Sequence, residues 1–144
     1  MQFEYTWLLN EKQLEEMVET ISKAKDEYLI GWLQAVKHQI EKMNDLSAKS
    51  EGIKMEELEE WRNTWNRKIK RHKEVDNQIR DALKQRGLTD EKINRDILLV
   101  EIAMEKMRED YEKDRKNGFT DEEARLNAEN TFVAMRKMQD EEQV

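Results

Sequence analysis

Three side chains in the middle of the chain have the types and spacing to do polar chemistry together. His72, Asp76 and Arg80 stand at i, i+4 and i+8, which sets them on one face of a helix. A carboxylate between an imidazole and a guanidinium can orient a ring proton, build a pH-sensitive contact or hold a register-fixing polar layer. The same stretch carries Met55, Leu58, Trp61, Trp65, Ile69, Ile79 and Leu83 at helical spacing, so the polar trio lies at or near the centre of an apolar stripe facing a neighbour. Counting back symmetrically through a turn near Ser50 sets Tyr28 opposite His72 and Lys25 opposite Asp76. The expectation is a polar core layer of Lys25, Tyr28, His72 and Asp76.

Catalytic patterns are missing around it. A carboxylate-bridged di-metal bundle uses a Glu three residues before a His on each of two helices, whereas Ala35 precedes His38 and Ile69 precedes His72 at that spacing. The acids Glu56, Glu57, Glu59 and Glu60 could resemble metal ligands, but a solvated acidic first turn, favoured by the helix dipole, explains them without a metal. The sequence shows no HExxH, phosphate-cradling glycine loop or GxSxG. With no cysteine, thiolate chemistry and disulfides are excluded. The expectation is a protein without catalytic residues, cofactor or metal, and not an enzyme.

A second pattern is electrostatic. Residues 61–86 carry nine Lys or Arg against Glu74, Asp76 and Asp81, a net of +6 in a chain whose formal charge is -7. Cations next to Trp61 and Trp65 could bind phosphates while indoles stack on bases. Both tryptophans fall on the apolar stripe, however, and an acidic chain repels nucleic acid overall. Arg67, Lys70 and Arg71 fit an acidic protein partner better, with nucleic acid as the alternative.

The elements that must position these groups are long helices. Charged residues make up 41% of the chain, which leans towards disorder by composition, yet the apolar residues are periodic. The chain has no proline and four glycines, as suits helices. The first predicted helix covers about 11–46, capped by Asn10 with Gln13, with Leu14, Met17, Val18, Ile21, Tyr28, Trp32, Ala35, Val36, Met43 and Leu46 inward. Gly31 within it marks a bend, a close crossing or a tolerated glycine. The second covers about 54–86 and stops at Gly87 in a left-handed C-cap position. The third (about 90–116) and fourth (about 121–141) follow loops built alike, Gly87-Leu88-Thr89 and Gly118-Phe119-Thr120. Residues 1–9, with Phe3, Tyr5 and Trp7 alternating, read as an arm.

The third helix contains the most apolar run, Ile97 to Met104. Ile93, Ile97, Val100, Met104, Met107 and Tyr111 form its core stripe, leaving Leu98, Leu99 and Ile102 on other sides. An apolar patch on a charged surface marks a contact. The fold expected is therefore all-α: one domain over residues 1–144, an elongated antiparallel bundle of about four long helices with a short N-terminal arm. The function expected is a cytoplasmic interaction module that binds another protein or itself: an adaptor, an assembly factor or a small inhibitor carried by a phage or other mobile element. No stretch is long and apolar enough to span a membrane.

Overall fold

The computed structural model of the protein describes residues 8–49 and 51–142. The described residues are all-α, with five helices: α1 Glu11–Thr20, α2 Asp26–Ala48, α3 Met55–Gln85, α4 Asp90–Lys116 and α5 Asp121–Glu142. Phe3, Tyr5 and Trp7 of the expected arm lie outside the described residues. The chain divides into two compact units, Met1–Ile93 and Asn94–Val144, where the sequence predicts a single bundle.

The first unit corrects the helix count. The stretch 11–46 is not one helix: α1 ends at Thr20, whose hydroxyl donates to the carbonyls of Glu16 and Met17 at 2.8 and 3.1 Å. Residues 21–25 turn, and α2 starts from an extended Lys25. The expected cap at Asn10 is present, with Gln13 N–H donating to Asn10 Oδ1 at 2.8 Å and Asn10 N–H to Gln13 Oε1 at 3.0 Å. Pairing along α3 gives the directions. Glu11 meets Arg71 and Ile21 meets Arg86, so α1 runs parallel to α3. Leu46, Gln39 and Asp26 meet Trp61, His72 and Arg86, so α2 runs antiparallel to it.

The core of this unit is Leu14 and Ile21 from α1, Leu29, Ile30, Leu33, Val36 and Met43 from α2, and Trp65, Ile69, Val75, Ile79 and Leu83 from α3. Towards the turn that joins α2 to α3, Met43, Trp65 and Ile69 are covered by Leu8, Ile40, Leu46 and Trp61. Trp61 and Trp65 meet edge to face at 5.6 Å. A Cβ at Gly31 would meet nothing within 4 Å, so no close crossing requires that glycine. Gly31→Ala should stabilise the unit by about 0.5–1 kcal/mol through helix propensity alone, read from urea unfolding midpoints; a loss of stability would show that α2 bends at this point.

The second unit is the rest of α4 with α5, an antiparallel hairpin. The loop built on Gly118 at φ 92° returns Phe119 N–H to Asp114 O at 3.1 Å, and Glu123 N–H caps on Thr120 Oγ1 at 3.2 Å. Gly87 does the same at φ 97°, with Leu88 N–H on Leu83 O. Four rungs set the hairpin register: Tyr111 to Asp121, Asn127 to Asp114 at 3.2 Å, Thr131 to Asp110 at 2.7 Å, and Gln139 Nε2 to Leu99 O at 2.9 Å. Ile97, Val100, Ala103, Ala124 and Ala128 are buried; the alanines suit close approach of the two backbones. Among the described residues no helix is long and apolar enough to cross a membrane.

Candidate interaction surfaces

On α4, Leu98 is 53% exposed and Ile102 46%. They are one turn apart and project away from the buried stripe of Ile97, Val100 and Ala103. Leu99 is half-buried, and its carbonyl receives the amide of the buried Gln139. The three expected patch residues therefore separate: two make an outer apolar step, and the third sits at the hairpin seam. Sequence reasoning missed a further outer pair, Leu126 and Val133 on α5, 58% and 65% exposed. Their spacing of seven residues, off the stripe of Ala124 and Ala128, is the signal that could have found them. Between the hairpin helices, Met107, Tyr111 and Ala128 line a shallow groove with Arg108, Arg125 and Glu129.

The basic helix distributes its cations in two ways. Arg71 does not face outward: Nε donates to Glu11 at 2.7 Å and Nη1 to Glu74 at 3.4 Å, and the hydrogen bond it donates to Glu11 raises the guanidinium pKa. Arg80 pairs with Asp76 at 2.9 Å, Lys84 with Asp90 at 3.0 Å and Arg86 with Asp26 at 2.8 Å. Arg67 and Lys70 are exposed. They share a shallow surface depression with Glu56, Glu59, Glu60, Asn63 and Asn66, a mixed rather than uniformly cationic face.

The expected polar layer takes a different form. Tyr28 is 59% exposed, Lys25 is exposed at the start of α2, and Asp76 pairs with Arg80 on its own helix. Only His72 is buried, and its cross-helix partner is Gln39: Nε2 lies 2.9 Å from Gln39 Oε1 and Nδ1 2.9 Å from Lys68 O. The register differs because the observed pairs, Gln39 with His72 and Asp26 with Arg86, are centred about six residues further along the chain than position 50. Burial pushes the imidazole pKa below its ordinary value, opposed by the hydrogen bond to Lys68 O.

Among the described residues no three His, Asp or Glu side chains group as a metal site requires. The shifted carboxyls are rungs of the hairpin: Thr131 holds Asp110 below the usual range, and Tyr111 does the same to Asp121. No family model, curated protein or solved structure matches the chain.

Proposed function

We propose that this chain is a non-enzymatic helical module that works by binding another protein or a second copy of itself, with the outer face of α4 as the contact. The observation that carries this reading is the exposure of Leu98 and Ile102, adjacent on that face in a chain with 41% charged residues. An apolar step surrounded by charge is the usual core of a contact, with the charged rim steering the partner. Glu105, already paired with Arg108 at 2.6 Å, and Glu109 continue the same face, so the partner's complementary surface is apolar with a mixed-charge flank. The adaptor, assembly-factor and inhibitor roles all use such a contact.

The nucleic-acid reading has weaker support. Arg71, Arg80, Lys84 and Arg86 are engaged inside the protein, and the outward Arg67 and Lys70 share their surface with three glutamates. A phosphate-binding face concentrates cations instead.

Leu98→Glu with Ile102→Glu tests the proposal, leaving the half-buried Leu99 in place. Both sites are exposed and glutamate is a good helix former, so stability should change by no more than about 0.5 kcal/mol per site. Association should weaken by about tenfold or more, since each side chain loses an apolar contact. Sedimentation velocity reads self-association, and a pull-down from the source cells reads a different partner. Undiminished association of the folded double variant would move the contact to another face, with Arg67 and Lys70 on α3 next to be tested.

A further inference from the structure

His72 sits in a contact whose proton count can be read from its neighbours. The ring is 2% exposed. Gln39 Oε1, 2.9 Å from Nε2, also accepts the Leu9 backbone N–H at 3.0 Å. A backbone N–H can only donate, so the atom of Gln39 facing it is the oxygen, not the amide nitrogen. His72 must therefore donate through Nε2. On its other side Nδ1 faces the carbonyl of Lys68 at 2.9 Å, which can only accept. Both contacts are made at once only when both ring nitrogens carry protons. A neutral ring leaves one lone pair against an oxygen. In the neutral tautomer that keeps its proton on Nδ1 for the Lys68 carbonyl, the mismatch falls at Gln39 and is relieved by rotating the amide, which turns its NH2 towards the ring and presents a donor to the Leu9 N–H.

We propose that His72 is a proton-operated latch on the segment that leads into α1: its protonated ring holds Gln39 with the oxygen towards Leu9, and the neutral ring lets the amide rotate and release Leu9. Leu8, next in the chain, packs on the Met43, Trp65 and Ile69 cluster, so release of Leu9 loosens the cover over that end of the core. The charges around the ring come from two elements: Lys68 and Arg71 on α3 oppose its proton, and Glu11 on α1 favours it. From α2 the group in contact is the uncharged Gln39. Burial delays proton uptake, so the latch closes below the ordinary histidine range. This inference stands apart from the α4 contact, because it concerns a different unit and a different readout.

The test is an NMR titration of the full chain from about pH 5 to about pH 8, across the span in which histidine changes charge. It follows the His72 ring nitrogens together with the protection of the Leu9 amide, corrected for intrinsic exchange. Protection should fall by about tenfold with rising pH, corresponding to one unit of pKa coupling, at the same midpoint as the ring. Gln39→Glu supplies a carboxylate that, while ionised, has acceptor oxygens only, so Leu9 should stay protected while the His72 midpoint moves up. Leu9 protection that is flat while His72 titrates would overturn the proposal, as would a His72 that stays neutral down to about pH 5 with Leu9 still held. Should Gln39→Glu fail to fold, the wild-type titration decides alone.

Discussion

Leu33→Ala should cost about 2–5 kcal/mol, while Tyr28→Ala, little more than a turn earlier on the same helix, should change stability by no more than about 0.5 kcal/mol. Leu33 is fully buried on the inner face of α2 with Leu29, Val36 and Met43. Removing its branched end leaves a cavity that a helix held against α3 along its length can close only in part. Tyr28 projects from the first turn of α2 into solvent. The contrast is sharp because a single helix over 11–46 demands the reverse. Continuing the stripe of Leu14 and Ile21 by 7, 11 and 14 residues from Ile21 arrives at Tyr28, Trp32 and Ala35. The turn at 21–25 resets the phase, and the buried stripe restarts one residue later, about 100° around the helix. Equilibrium unfolding in urea, followed by tryptophan emission, measures both variants; a costly Tyr28→Ala with a mild Leu33→Ala would restore the unbroken helix.

The elements legible in the sequence were those whose ends are written locally. Gly87 and Gly118 adopt the positive φ that helix stops favour, and Thr89 and Thr120 cap the helices that follow. The expected starts at Asp90 and Asp121 and the end at Lys116 match the structure for that reason. The break after Thr20 has no glycine or proline to announce it. Its carbonyls are satisfied by Arg86, 62 and 65 residues away, and no local pattern contains that information.

The candidate surfaces divide along the same line. The outward position of Leu98 and Ile102 follows from angle alone once Ile97 and Val100 are set inward. The partner of His72 does not, because it depends on how far α2 slides along α3. Gln39 nonetheless carried a signal: it stands three residues after Val36 and four before Met43, on the stripe that is buried. Gln139 occupies an equivalent place, eleven residues after Ala128 on α5, and it too is buried and cross-bonded. A glutamine in phase with an apolar stripe is a candidate for a buried hydrogen bond across helices, and both here reach a neighbouring helix.

Arg86→Lys should destabilise the first unit by about 1–2 kcal/mol although it conserves charge. Arg86 lies just past the end of α3, and its guanidinium joins three oxygens of the α1–α2 turn. Nη1 donates to Ala24 O and Asp26 Oδ1, both at 2.8 Å, and Nη2 to Ile21 O at 2.8 Å. Two of these are backbone carbonyls of the turn: Ile21 at the C-cap of α1, where a cation is favoured, and Ala24 two residues before α2; the third is an acid in the first turn of α2. A planar fork with donors on two nitrogens spans all three oxygens, whereas an ammonium group is a point donor and cannot reproduce that geometry. The arginine side chain is 28% exposed and that of Asp26 50%, so solvent screens the ionic part and most of the loss comes from the carbonyls. Hydrogen exchange should locate the effect, with amides at the start of α2 exchanging faster in Arg86→Lys than those near Gln39. Stability within about 0.5 kcal/mol of wild type would mean that the packing of Ile21 and Leu29 alone holds the turn, and that the arginine only decorates it.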